Sequence, residues 1–242
     1  MEQRLLGTTG LRVSELCFGT MSFGDMADEA TSAALYRCAR DAGIDFFDCA
    51  NVYSAGRAEE ILGRLVAGER NRLVLTTKVG FPIGKDPNDH GLSRRHILQS
   101  VEASLGRLGT DRIEILFVHT WDPVTSVDET LRALDLLVQQ GKALYLGVSN
   151  WAAWQIALAL GASAQEGLAA FACVQPMYSV VKRQAEVEIL PLARAAGLGV
   201  VSYSPLGGGL LSGKYGRGRR PERGRLVENR MYASRYGDDT YY

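Results

Sequence analysis

Asp48, Tyr53, Lys78 and His119 are the residues of this 242-residue chain whose types and positions suggest chemistry. Three of them follow short β-rich runs. Asp48 closes Phe46-Phe47, Lys78 comes after Thr76-Thr77, and His119 ends Ile115-Leu116-Phe117-Val118; Tyr53 lies five residues past Asp48. Singly, each has a plain structural explanation: a helix cap or turn for Asp48, packing for Tyr53, a satisfied core imidazole for His119. Lys78 is harder to place this way, because an ammonium inside a fold needs a counter-charge, which Asp48 could supply. Together they make an acid. An ammonium ~4 Å from a phenol favours the phenolate by up to ~4 kcal/mol at an effective dielectric of about 20. That bounds the shift at roughly 3 pKa units. The expectation is a tyrosine acid near working pH, worth ~10²–10⁴ in rate, with a histidine N–H beside it to hold a carbonyl oxygen.

Such a cluster needs strands that deliver their last residues to one place. β-rich runs recur, and their turn-outs fall at Gly19, Asp48, Thr77, His119, Ser149, Pro176 and Ser204, spaced by 29, 29, 42, 30, 27 and 28 residues. One strand, one helix and two short loops need about that much chain. The segments between have helical periodicity, as in Ile97, Val101, Leu105 and Leu108. Ser126 with Glu129 reads as a capping box, and Gly43, Gly141 and Gly197 follow helical stretches where a left-handed residue ends a helix. Seven strand–helix alternations imply a parallel sheet covered by helices. The regular spacing, without a G-x-G-x-x-G after the first strand, favours a (β/α)8 TIM barrel over an open Rossmann sheet. The barrel domain is expected over residues 1–214, as seven units. Residues 215–242 offer no eighth strand; with Arg217, Arg219, Arg220, Arg223, Arg225 and Arg230 they read as an Arg/Gly-rich loop or disordered tail.

Composition excludes several classes. Lys+Arg and Asp+Glu both number 27, so nothing in the net charge points to nucleic acid or an acidic membrane. The longest apolar run, Leu168 to Val174, is far short of a membrane span. Met1-Glu2-Gln3-Arg4 leads into no apolar signal segment. Cys17, Cys38, Cys49 and Cys173 form no C-x-x-C pair and are expected to be buried reduced thiols, with no metal site and a cytoplasmic location.

The chain resembles the aldo-keto reductases over about residues 4–214. The resemblance is carried by Leu6-Gly7-Thr8-Thr9-Gly10, Phe18-Gly19-Thr20-Met21, Asp48-Cys49-Ala50-Asn51-Val52-Tyr53, Thr77-Lys78, Gly147-Val148-Ser149-Asn150, Gln175-Pro176-Met177-Tyr178 and Ser202-Tyr203-Ser204-Pro205-Leu206. It implies an NADP(H)-dependent reductase of aldehydes or ketones, with a small-molecule carbonyl substrate. Tyr53 would be the general acid, tuned by Lys78 and Asp48, and His119 would orient the carbonyl. Ser149, Asn150 and Gln175 would hold the nicotinamide carboxamide and Tyr203 would stack on its ring. Gly19, Thr20, Met21, Asp48, Ser204, Pro205 and Leu206 would complete the cofactor site. Asn150 is also a candidate helix cap and Gln175 a simple strand-end polar residue. The loop Gly207-Gly208-Gly209 can bring backbone N–H groups to a phosphate, with Gly208 and Lys214 as its contacts.

Family members continue with an eighth strand and C-terminal helices that this sequence lacks, so a C-terminally shortened member with weaker NADP(H) binding is expected. Trp121 and Trp151 are placed near the pocket rim, hinting at an apolar or aromatic substrate, or else pack helices. The rival readings are a non-enzymatic regulatory subunit, like the cytoplasmic subunits of potassium channels, and an inactive truncated fragment.

Overall fold

The computed structural model describes residues 1–216 and 218–236. The chain opens with a hairpin, β1 (Gln3–Leu5) against β2 (Arg12–Ser14), which the strand spacing did not anticipate. Seven parallel strands follow in sequence order: β3 (Phe18–Gly19), β4 (Phe46–Asp48), β5 (Val74–Val79), β6 (Ile113–Val118), β7 (Ala143–Ser149), β8 (Phe171–Gln175) and β9 (Gly199–Val200). Six helices alternate with them: α1 (Glu29–Asp41), α2 (Arg57–Val66), α3 (Arg94–Leu108), α4 (Val127–Gln139), α5 (Ala153–Glu166) and α6 (Ile189–Ala195). This is the α/β architecture of a (β/α)8 barrel with seven strands of the curled sheet present, β3 and β9 forming its edges.

Alternation along the strands divides the core in two. Phe47, Leu75, Leu116 and Val118 point outward and bury against the helices. Phe46, Val74, Ile115 and Phe117 point inward and meet Leu6 and Val13 of the hairpin, which plugs the lower end. The hairpin loop also reaches the turn that leads into β9, where the Thr8 amide donates to the Gly197 carbonyl at 3.1 Å. Each side chain so buried contributes ~1.5–3 kcal/mol of transfer free energy. One residue pair further along, the inward series turns polar: Asp48, Thr76, Lys78 and His119 stand above this apolar floor.

The helix ends follow the local signals. Ser126 Oγ accepts from the Glu129 amide at 3.2 Å, and Gly43, Gly141 and Gly197 all have positive φ. All four thiols are free; Cys49 and Cys173 are buried and Cys17 is partly so, but Cys38 is exposed on α1, against expectation.

The stretch from Tyr215 onward differs from the loop or disordered tail expected of it. Among its described residues it carries α7 (Arg225–Glu228) and α8 (Arg230–Tyr236). Leu226, Tyr232 and Tyr236 bury against Leu210 and Tyr215, so apolar residues that look scattered in sequence become one cluster in space. Arg217 and residues 237–242 of that stretch lie outside the described residues.

Candidate functional site

The strand ends bring Asp48, Tyr53, Lys78 and His119 into one group. Lys78, with 0% exposure, uses its whole ammonium there. Its Nζ donates to Asp48 Oδ2 at 2.5 Å, to the Cys49 carbonyl at 2.8 Å and to the Tyr53 hydroxyl at 3.2 Å. Asp48 Oδ1 accepts from Thr76 Oγ1 at 2.6 Å and from Gln175 Nε2 at 3.0 Å. The His119 ring meets the Tyr53 ring edge-on at 5.9 Å and Phe81 at 4.5 Å.

Tyr53 sits on a strained turn. Ser54 and Ala55 have φ of 50° and 54°, a left-handed conformation that costs most residues about 1–2 kcal/mol each. Ser54 Oγ offsets part of that by donating to the Phe23 carbonyl at 2.7 Å.

Electrostatics depart from the expected acid near working pH. Burial pushes the Tyr53 phenol up to about 12, and the neighbouring Lys78 ammonium only partly opposes it. Burial, then Lys78, pushes His119 down to about 2, so its imidazole is neutral. Burial also acts against the Lys78 charge, but Asp48 and then Tyr53 outweigh it and the ammonium is held above its ordinary range.

These groups open on a cavity of about 830 Å³, within the range of ligand sites. Of the residues expected at a cofactor site, Gly19, Met21, Asp48, Ser149, Asn150, Gln175, Tyr203, Ser204, Pro205, Leu206, Gly208 and Lys214 line it, beside Tyr53 and His119. Thr20 does not; its amide and hydroxyl both donate to the Asp48 carbonyl, at 2.9 and 3.0 Å. Lys78 lies behind the wall. Trp121 and Trp151 stay off the cavity: Trp151 packs edge-on against Trp121 at 4.7 Å and Phe171 at 5.5 Å. Helix packing is therefore their role, and the hint they gave of an aromatic substrate falls.

A polar chain runs along one wall. Tyr203 OH donates to Asn150 Oδ1 at 2.8 Å, Asn150 Nδ2 donates to the His119 carbonyl at 2.8 Å, and Ser149 Oγ donates to the Gln175 carbonyl at 2.9 Å. Gly208 lines the cavity, but a Cβ there would come within 2.6 Å of the Tyr232 ring. Part of the glycine loop's purpose is thus to seat α8.

Sequence reasoning missed Met231, Tyr232 and Arg235 of the cavity wall and named Arg225 only as part of the supposed tail. The 3-to-4 spacing of Met231, Tyr232, Arg235 and Tyr236 was the available signal. Among the described residues no carboxylate lies within ion-pair distance of Lys214, Arg225 or Arg235, although all three line the cavity. These three cations and the Gln175 side-chain amide, all facing the cavity, suit a ligand that carries phosphates and an amide. The residues present therefore fit a nicotinamide dinucleotide. Among the described residues no group of three or more His, Cys, Asp or Glu is placed to hold a metal, and no helix is long and apolar enough to cross a membrane.

Residues 15–237 match the sequence model of the aldo/keto reductase family. The chain belongs to that family. Similar proteins include a probable voltage-gated potassium channel subunit beta of Arabidopsis thaliana, 41% identical over 232 residues that cover 94% of this chain and 70% of the relative. The corresponding protein of Oryza sativa subsp. japonica has the same identity and coverage. An uncharacterized oxidoreductase of Bacillus subtilis (strain 168), YrpG, is 42% identical over 255 residues, covering 98% of this chain and 78% of its own.

Proposed function

We propose that this chain is an NADP(H)-dependent reductase of small aldehydes or ketones, with Tyr53 as the proton donor. The observation that carries the proposal is the three-way commitment of the Lys78 ammonium to Asp48, the Cys49 carbonyl and the Tyr53 hydroxyl. Lys214, Arg225 and Arg235 would hold the phosphates, and Gln175, Ser149 and Asn150 the carboxamide end, with Tyr203 against the ring. When bound, a nicotinamide would supply the hydride, two electrons and a hydrogen, that carbonyl reduction needs.

The protein's own part is the proton. A substrate oxygen placed between the Tyr53 hydroxyl and the neutral His119 ring is held by both groups. As negative charge grows on that oxygen, Tyr53 releases its proton to it, and Lys78 at 3.2 Å stabilises the phenolate left behind. The donor then regains a proton from solvent. Met21, Met26, Val52 and Phe81 make part of the wall apolar, which limits the water that competes for the oxygen.

Tyr53→Phe is expected to lower carbonyl reduction by ~10²-fold or more while NADPH quenching of protein fluorescence persists. Full activity in that variant would remove Tyr53 as donor. A second reading, regulatory use of the same site, is favoured by the channel-subunit names of two relatives. NADPH consumption with a panel of aldehydes separates the two, since regulatory use predicts very slow turnover.

A further inference from the structure

Lys78 has three N–H donors and three acceptors, so its hydrogens are fully allotted. The contact to Tyr53 is the longest of the three and the first to fail if a stronger acceptor comes within reach. One rival acceptor belongs to a side chain already bonded to this ammonium, the second oxygen of Asp48. A carboxylate has about four acceptor positions on two oxygens, so a free roll about its Cβ–Cγ bond would let it take a second hydrogen from the same ammonium.

That roll is blocked. Asp48 Oδ1 already receives Thr76 Oγ1 at 2.6 Å and Gln175 Nε2 at 3.0 Å. Gln175 stands in the cavity wall, where a ligand can compete for its amide. Thr76 is different: it has 0% exposure, its β-branched side chain is stiff, and its strand also carries Lys78 two residues on. We infer that Thr76 is a positioning residue, whose hydroxyl fixes the roll of the Asp48 carboxylate so that Lys78 keeps one N–H for Tyr53. The inference rests on the reading of Tyr53 as proton donor.

The adjacent threonine is a built-in control. Thr77 faces the opposite side of β5, and its Oγ1 donates to Glu59 Oε1 at 2.5 Å. Glu59, buried on α2, takes Arg107 Nε of α3 on its other oxygen at 2.7 Å. Thr77 therefore clamps the strand to its helices from outside and does not line the cavity. Two neighbouring residues of one type, on opposite faces, serve different purposes.

The test uses the chain with Thr76→Val, Thr76→Ser, Thr77→Val and Tyr53→Phe, followed by NADPH consumption with benzaldehyde and propanal. Thr76→Val should lower kcat about tenfold, the scale of a lost hydrogen bond to a charged group, with KM for NADPH and Tm little changed. Thr76→Ser should restore kcat. Thr77→Val should do the reverse, lowering Tm and leaving kcat within about twofold. A readout that needs no turnover is solvent exchange of the Lys78 Nζ protons, followed by NMR of ¹⁵N-lysine protein. Exchange should quicken in Thr76→Val but not in Thr77→Val. Unchanged kcat and exchange in Thr76→Val overturn the inference, as does a loss of kcat that merely tracks Tm across both valine variants. Should Tyr53→Phe stay fully active, the donor reading fails, and the exchange contrast alone still decides whether Thr76 holds the Asp48–Lys78 pair.

Discussion

At the scale of single residues, Tyr53 is governed by two opposed effects whose order only the structure decides. An ammonium at 3.2 Å favours the phenolate, but the wall that excludes water removes more than the ammonium returns, and the phenol rises to about 12. Tyr53 and His119 thus both rest in their neutral forms, the phenol below its high pKa and the imidazole above its low one. Neither titrates near neutrality. The rate of reduction is therefore expected to stay flat from about pH 6 to about pH 9, as measured by kcat at saturating NADPH. Alcohol oxidation runs the proton step backwards and needs the phenolate, whose fraction grows about tenfold per pH unit below the pKa, so its rate should climb over the same interval. A bell-shaped reduction profile with a limb near 7 would contradict this account.

At the scale of elements, β4, β5 and β6 spend their first inward residues on the apolar floor and the next ones on the polar group above it. Phe46 precedes Asp48, Val74 precedes Thr76 and Lys78, and Phe117 precedes His119, always two residues apart on one face. Tyr53 belongs to no strand and is aimed instead by the left-handed turn at Ser54 and Ala55. Ala55→Gly would relieve strain there, since glycine adopts φ near +54° without a Cβ clash. Denaturant unfolding should show a gain of ~1 kcal/mol after the entropy that glycine adds to the unfolded chain. A loss would mean that the alanine methyl makes contacts worth more than the strain.

At the scale of the whole molecule, the curled sheet has two edges, β3 and β9, and the chain reaches across between them with other segments. The hairpin does so at the lower end through Thr8 and Gly197. At the cavity end α8 spans the same interval: Tyr232 OH reaches Met21 Sδ at 4.0 Å, and Tyr236 OH reaches Met177 Sδ at 3.2 Å. Tyr236, with 0% exposure, is the anchor of that helix, which also carries Arg235 of the cavity wall. Tyr236→Ala should undock α8 without unfolding the sheet. The expected signs are faster amide exchange confined to α7 and α8 and about tenfold weaker NADPH binding, a loss of ~1.4 kcal/mol. Unchanged binding would detach the helix from the proposed cofactor site.

Much of this was legible in the linear chain. The order of seven parallel strands, the ends at Asp48, His119 and Ser149, and the capping of α4 by Ser126 follow from spacing and local chemistry, which act over a few residues and need no knowledge of the rest. What required the folded molecule depends on neighbours distant in sequence. Thr76 and Thr77 are indistinguishable until one strand face is known to meet Asp48 and the other Glu59. Trp121 and Trp151 turn out to pack against each other, and the supposed tail becomes a cavity wall because Tyr232 and Tyr236 find Gly208, Met21 and Met177. Burial is a property of the assembled surroundings, and burial is what sets whether a phenol gives up its proton early or late.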